Sequence, residues 1–215
     1  MTAIVCEQPL IWQAERVSEV ARLARAGLLY RRMNATEFWA LMDQGYVGEG
    51  SYDHIELMEG EIVVKAMGKG NLHEAYKAGI VEWLIDHRPR DLTVGIEPTI
   101  DFSDEDVLEP DIVLYPRGRP TKTLKGADIA LLIEIADSSI AGDTRQKAHR
   151  YAALGVAHYW VVDVTRALIH VFAEPGTGGY AQRQLAERDH SVTPPFADAP
   201  PFRLADLGIP EPVAF

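Results

Sequence analysis

Cysteine is almost absent from this chain: Cys6 is the only one among 215 residues. A lone cysteine cannot form an internal disulfide framework, and it excludes a zinc site built from several cysteines. No apolar run approaches the roughly 20 residues that a membrane-spanning helix needs, so no membrane partner is expected. The N-terminus lacks a basic segment leading into an apolar one, which argues against a secretory signal. These absences together predict a cytoplasmic protein.

Positive charge is also scarce. The 21 Lys and Arg residues are outnumbered by 32 Asp and Glu residues, which gives a net charge of −11. A surface covered with nucleic-acid contacts is therefore not expected, because phosphates are bound by Lys and Arg. A local basic patch is still compatible with this charge. The acidic excess is typical of a solvated surface, but part of it could hold a metal cation.

Several enzyme motifs are missing as well. The sequence has no G-x-G-x-x-G dinucleotide fingerprint and no G-x-S-x-G nucleophile elbow. Gly68-Lys69-Gly70 is not a phosphate-binding loop, because the upstream glycine is missing and Asn71 replaces the Ser or Thr. The histidines show no spacing typical of a zinc site.

The order of the predicted elements indicates the fold class. Helices are expected at residues 13–26, from Asn34 to Gly45, from Asn71 to Pro89 and at 143–155. Strands are expected as a hairpin, 54–58 and 61–66, and at 93–97, 99–102, 111–115, 130–136, 158–163, 167–173 and 180–185. Regular βαβ alternation is absent, so we predict an α+β (mixed α/β) fold. Residues 191–215 hold six prolines and should wrap the surface.

One acid lies in the centre of an apolar run. The stretch ALLIEIA, residues 130–136, is typical of a strand covered on both faces, and Glu134 is its only charged residue. An unpaired buried charge costs several kcal/mol, so this carboxylate needs a compensating partner.

A second acid begins another apolar strand. In EPDIVLY, Pro110 suits a first strand position because it has no N–H to donate, and Asp111 follows it. If the two strands are neighbours, Asp111 and Glu134 would converge and require a shared proton or a cation. Oxygen ligands favour a hard ion such as Mg²⁺, which binds through one or two carboxylates and keeps several waters.

Lys147 is the third candidate. On the helix predicted from Asp143, it shares a face with Tyr151 and Leu154, so it should point inward and need an anionic partner such as Glu134. The alternative is a buried ion pair without catalysis. Glu61, at the start of a hairpin strand, and His73, in the first turn of a helix, are weaker candidates for the same site.

These residues resemble a known pattern. Pro110-Asp111, a strand Glu134 and then a lysine are similar to the PD-(D/E)XK nuclease superfamily, and a lysine moved onto the following helix resembles its Uma-type (Uma-two) branch of restriction-endonuclease-like proteins. The resemblance covers about residues 34–190 and includes the segments IELMEGEIVVKAMG, EPDIVLYP, GADIALLIEIADSS and DTRQKAHRYAALGVAHYWVVD. His73 matches the histidine that opens the helix after the hairpin.

The resemblance implies a restriction-endonuclease-like core at 34–190, with a central mixed β-sheet flanked by helices. An N-terminal helical extension at 1–33 and a proline-rich tail at 191–215, packed on the surface, lie outside the resemblance. It implies hydrolysis of DNA phosphodiester bonds with Mg²⁺ or Mn²⁺ held by Asp111, Glu134 and the carbonyl of Ile135. Lys147 would position or deprotonate a water. Glu61 and His73 would orient the site. Because cleavage of a duplex needs two sites, a homodimer is expected.

A basic loop is the candidate contact with the nucleic-acid backbone. Its cations are Arg117, Arg119, Lys122 and Lys125.

The chain departs from the family pattern after the strand glutamate. Ala136-Asp137-Ser138-Ser139 replaces the usual Leu-Ser-Pro-Ser, which adds a negative charge beside the predicted metal site. Two alternatives to a DNA endonuclease therefore stay open. One is an inactive nuclease-fold module that binds a protein or nucleic-acid partner, and the other is a metal-dependent enzyme with a different phosphoester substrate.

Overall fold

The structure is a computed structural model that describes residues 32–43, 54–65 and 70–210. The helix predicted at residues 13–26 lies outside the described residues. The helices are α1 (Ala35–Asp43), α2 (Asn71–His87) and α3 (Ala148–Ala153). The strands are β1 (His54–Met58), β2 (Glu61–Lys65), β3 (Leu92–Ile96), β4 (Ile100–Ser103), β5 (Asp106–Leu108), β6 (Ile112–Pro116), β7 (Leu131–Ala136), β8 (His158–Asp163), β9 (Leu168–Gly176) and β10 (Gly179–Glu187).

The chain forms two compact units. Of the described residues, 32–43, 54–65 and 104–107 form the smaller unit, and 70–103 and 108–210 form the larger unit. In the smaller unit, the Glu37 backbone N–H donates to Asn34 Oδ1 at 2.9 Å, and the Asn34 N–H donates to Glu37 Oε2 at 3.2 Å. This reciprocal pair is a capping box, so the predicted start of α1 is confirmed.

The smaller unit is completed by the predicted hairpin. Strands β1 and β2 pair antiparallel around Glu59 and Gly60, whose φ values are 53° and 74°. A two-residue type I′ turn, which matches the right-handed twist of the flanking strands, requires positive φ at both central residues. Val107 of β5 pairs with Leu57 of β1, and these two residues pack with Phe38 of α1.

A six-stranded sheet is the centre of the larger unit, in the order β10-β9-β8-β7-β6-β3. Strands β7 and β8 are parallel, whereas the other neighbouring pairs are antiparallel. A parallel pair needs a crossover connection, and the helical segment between β7 and β8 provides it. The prediction of an α+β fold with a mixed central sheet is confirmed.

Side-chain alternation along β7 explains the position of Glu134. Ile133 and Ile135 pack in the main core with α2 residues such as Tyr76 and Ile80. Because successive strand residues point to opposite faces, Glu134 points away from α2, towards the face that carries the crossover helix. The acid therefore interrupts the apolar run without entering the α2 core.

Three local predictions need correction. The helix predicted from Asp143 begins earlier, after Ser139, and Gly142–Lys147 form a π-helical stretch that continues into α3. Strand β3 ends at Ile96 because Glu97 adopts a left-handed φ of 49°. The short strand β5 was not predicted, since three residues are too few to show a period.

The C-terminal segment contributes to the main core. Phe202, Leu204 and Ile209 are buried in the same cluster as α2, and Val192 forms an antiparallel bridge with Phe202. Among the residues that the structure describes, no helix has the length and apolar character to cross a membrane.

Candidate active site

The two predicted acids meet on neighbouring strands. Ile112 of β6 pairs with Ile133 of β7, so Asp111 and Glu134 come next to each other in the antiparallel register. The backbone N–H of Ile135 donates to Asp111 Oδ2 at 2.7 Å, which fixes the Asp111 carboxylate against the adjoining strand. Both acids are buried.

Glu134 has the ammonium partner that the sequence predicted. Lys147 Nζ donates to Glu134 Oε1 at 2.8 Å. The hydroxyl of Tyr151 donates to the same oxygen at 2.9 Å. The structure thus brings Asp111, Glu134 and Lys147 together, and two donors from the crossover helix orient the central carboxylate.

The π-helical stretch carries a third buried acid, which sequence reasoning did not assign to the site. Asp143 Oδ1 lies 3.9 Å from Lys147 Nζ, and Asp143 Oδ2 accepts from the Ser139 hydroxyl. The signal was the spacing: 143, 147 and 151 follow one another at i,i+4 on one helix face. From the sequence, Asp143 was placed only at the start of the predicted helix.

Tyr159 of β8 binds the backbone of Asp143. Its hydroxyl donates to the backbone oxygen of Asp143 at 3.0 Å. Burial raises the pKa of Tyr159 well above its usual value, and the negative charges of Glu134 and Asp143 raise it further. Tyr159 therefore stays protonated and acts as a donor at any physiological pH.

His73, a weaker candidate, also reaches the site. Its Nε2 lies 3.6 Å from Asp111 Oδ2, and its Nδ1 lies 3.1 Å from Glu74 Oε1. The side chain is buried in the first turn of α2, so it is not the surface histidine that such a position usually holds.

Glu61 is the other weaker candidate, and it belongs to the smaller unit. It is exposed at the start of β2 in the smaller unit. Its role in the site stays a prediction.

The basic loop begins at the opposite end of β6 from Asp111. Arg117 is six positions after Asp111 in the chain. At about 3.3 Å per strand residue, the two residues are about 20 Å apart. Arg117 donates to the backbone oxygens of Arg90 and Leu92, and Lys125 donates to the oxygen of Asp101. The loop is thus held to its own unit, about one duplex width from the acids.

Asp137, the residue that departs from the family pattern, turns towards α2. A Cβ added to Gly70, just before the helix, would come within 2.6 Å of Asp137 Oδ2. A carboxylate is stabilised at this end of a helix by the helix dipole. The negative charge that Asp137 adds therefore lies beside the N-terminal end of α2.

The residues present fit a hard divalent cation. Within residues 32–43, 54–65 and 70–210, no three His, Cys, Asp or Glu side chains are grouped closely enough to hold a metal by themselves. Mg²⁺ does not need such a group, because it usually binds through one or two carboxylates and keeps several waters. The N–H of Ile135 points to Asp111, and the carbonyl of a strand residue points to the same side as its N–H. Two carboxylates and one carbonyl oxygen are therefore available.

Comparison with known proteins agrees with this geometry. The fold is restriction-endonuclease-like: the crystal structure of a putative nuclease belonging to DUF820 from Anabaena variabilis ATCC 29413 matches with a TM-score of 0.61 and 21% identity, over 81% of this chain and 97% of that one. The family model of Uma2, described as putative restriction endonuclease, matches residues 37–199. The chain belongs to the Uma2 family. No curated protein matched the sequence.

Proposed function

We propose that the protein is a metal-dependent endonuclease that hydrolyses phosphodiester bonds of DNA. The observation that carries the proposal is the convergence of a second buried acid with the Lys147–Glu134 pair: Asp111 lies opposite Glu134 on the neighbouring strand, and its carboxylate accepts from the Ile135 N–H at 2.7 Å. Two acids on neighbouring strands and a lysine from the crossover helix are the groups that such a reaction requires. Membership of the Uma2 family supports the same reaction class.

Asp111, Glu134 and the carbonyl of Ile135 would hold the cation, Mg²⁺ or Mn²⁺. When bound, such an ion lowers the pKa of a coordinated water and offsets negative charge on the phosphoryl group. The hydrogen bond from Ile135 holds the Asp111 carboxylate in one orientation, so little reorganisation would be needed on binding.

Lys147 would act on the attacking water. Its ammonium group can orient that water and stabilise the negative charge that develops on phosphate. Tyr151 keeps Glu134 in place with a second hydrogen bond to the same oxygen. His73, close to Asp111, and Glu61 would orient the site further.

DNA is the proposed substrate, and the basic loop would contact its backbone. The distance of about 20 Å between this loop and Asp111 is compatible with one duplex bound across both. A homodimer is part of the proposal, since one site cuts one strand and duplex cleavage needs two.

A nicking assay tests the proposal. Supercoiled plasmid should be converted to open circle in Mg²⁺ or Mn²⁺ by the wild type and by Glu82→Gln, a control on the exposed face of α2. Asp111→Asn and Glu134→Gln should remove the activity while circular dichroism shows a folded protein. Cleavage that survives both substitutions would place the active site elsewhere.

The alternative is an inactive module in which Lys147 and Glu134 serve only as a buried ion pair. The direct 2.8 Å contact between them favours it, because the pair is satisfied without a metal. In that case calorimetry would detect no uptake of Mg²⁺ or Mn²⁺, and partner binding would survive the same substitutions. Metal uptake with cleavage of other phosphoesters but not DNA, in a substrate panel, would indicate a different substrate.

A further inference from the structure

Asp111 belongs to a closed ring of contacts with residues of α2 and the end of β3. His73 Nε2 lies 3.6 Å from Asp111 Oδ2, and His73 Nδ1 lies 3.1 Å from Glu74 Oε1. Lys77 Nζ donates to Glu74 and to Glu97, at 2.8 Å each. The backbone N–H of Glu97 then donates to the backbone oxygen of Asp111 at 3.0 Å. The ring therefore contacts Asp111 at its side chain and binds it by a hydrogen bond at its backbone.

The charges in the ring fix the direction of one hydrogen bond. The hydrogen bond from Lys77 lowers the pKa of Glu74. Burial lowers the pKa of Lys77, but its hydrogen bonds to Glu74 and Glu97 outweigh burial and the pKa is raised. Both groups are charged at neutral pH, so Glu74 can only accept, and the proton between it and His73 must sit on Nδ1. Nε2 is the nitrogen that faces Asp111.

Glu97 shows that the ring stores backbone strain. Its φ of 49° is left-handed, and the next residue is Pro98, before which extended conformations are preferred. Such a conformation is unfavourable for a residue with a side chain, and it persists only where the surroundings impose it. Here the surroundings are the Lys77 ammonium group on the side chain and the Asp111 oxygen on the backbone.

We propose that Glu74, Lys77 and Glu97 form a positioning device that holds His73 with Nε2 towards Asp111 and fixes the strand end that carries this acid. Lys77 is its central residue, because its ammonium group donates to both acids. They act on the site through the contacts of Glu74 with His73 and of the Glu97 backbone N–H with Asp111. The effect on catalysis rests on the proposed function, whereas the effect on the imidazole does not.

The first test determines which nitrogen of the His73 imidazole carries the proton. In the metal-free full-length protein at about pH 8.5, where an ordinary imidazole is neutral, long-range ¹H–¹⁵N correlation should show a proton on His73 Nδ1. His73→Gln assigns the signals. Glu74→Ala should move the proton to Nε2, and Glu82→Ala, the same change two turns along the same exposed face, should not. An unprotonated Nδ1 in the wild type, or an identical pattern in Glu74→Ala, overturns the proposal.

The second test separates kcat from KM. Lys77→Met should lower kcat for plasmid nicking by about 10–100-fold, the usual effect of losing a group that orients a ligand. KM for DNA should stay unchanged, because Lys77 is directed into the ring. Lys77→Arg keeps a charged donor and should retain most of kcat. Wild-type kcat in Lys77→Met, or an Arg variant as impaired as Met, contradicts the positioning role.

The two tests also separate this proposal from the endonuclease itself. If the wild type cuts no DNA, the proposed function fails, yet the state of His73 Nδ1 still decides whether the ring holds the imidazole. If the wild type cuts DNA and Glu74→Ala leaves the Nδ1 proton in place, the endonuclease stands and the positioning device is rejected.

Discussion

Two lysines of the larger unit have equal burial and different surroundings. Lys77 and Lys147 each expose 11% of the side chain, and each lies near two acids. The partners of Lys77, Glu74 and Glu97, are 52% and 28% exposed and lie at 2.8 Å each. The partners of Lys147, Glu134 and Asp143, are only 3% and 6% exposed and lie at 2.8 and 3.9 Å.

The difference lies in what happens to the acids when the lysine is removed. An exposed acid recovers its water, so an ion pair such as that of Lys77 contributes little free energy. A buried acid does not, and the desolvation of such a pair often exceeds its Coulomb attraction. The Lys147–Glu134 ion pair therefore contributes little to the stability of the fold. Its position beside Asp111 supports the proposed catalytic role.

The largest expected effect is on stability. Glu134→Ala leaves Lys147 buried without its nearest anion and should lower the free energy of unfolding by about 3–5 kcal/mol. The matched change Glu74→Ala should lower it by at most about 1 kcal/mol. Urea unfolding of the two variants measures both. Equal losses of unfolding free energy in the two variants would show that the burial of the partner acids does not determine what each ion pair contributes.

The next effect separates stability from activity at the buried pair. Lys147→Met should reduce nicking by about 10²–10⁴-fold, the usual contribution of a proton-transfer or charge-stabilising group. The double variant Glu134→Leu with Lys147→Met removes both charges, so it should be more stable than Glu134→Ala while staying inactive. Recovery of cleavage in the double variant would contradict the role given to these residues.

A smaller effect is expected from single hydroxyl groups. Tyr151→Phe removes the second donor to Glu134 Oε1 and should cost about 1 kcal/mol of unfolding free energy together with a fall in kcat. Tyr180 is the matched control, because its buried hydroxyl donates to the backbone oxygen of Val156 at 2.8 Å. Tyr180→Phe should cost a similar free energy without changing kcat. A kcat loss of the same size in both variants would assign it to general destabilisation.

The smallest effect is on the pH dependence of stability. Because Lys77 lowers the pKa of Glu74, this carboxylate contributes stability above its usual pKa of 4.5 and loses it as the pH falls through the lowered value. Between about pH 6 and about pH 3, unfolding free energy should therefore fall less steeply in Glu74→Ala than in the wild type. Glu82→Ala should keep the wild-type slope, and a wild-type slope in Glu74→Ala would show that the ion pair contributes nothing.

The sequence predicts those parts of the site that local pattern determines. Glu134 in an apolar strand and Asp111 after Pro110 were identifiable because a buried charge has a large cost wherever the chain folds. Lys147 followed from helical spacing. Asp143 was missed because it was placed at the start of the predicted helix, although its i,i+4 spacing to Lys147 was visible in the sequence. The π-helical stretch that contains it is not indicated by local propensity.

The ring around Lys77 was not predicted for a related reason. Glu74 and Lys77 look like an ordinary surface pair three residues apart. Their link to Asp111 depends on Glu97, whose left-handed backbone follows from contacts 14–20 residues away, between Glu97, Asp111 and Lys77. No local pattern signals such a conformation in a glutamate that precedes proline.

Anomalous diffraction at the manganese edge, from crystals grown with Mn²⁺, tests the central claim most directly. We predict a peak within bonding distance of the carboxylates of both Asp111 and Glu134, which disappears in crystals of Asp111→Asn. A structure with saturating Mn²⁺ that shows no peak at these two acids, with the Lys147–Glu134 contact unchanged, would contradict a metal-dependent active site here.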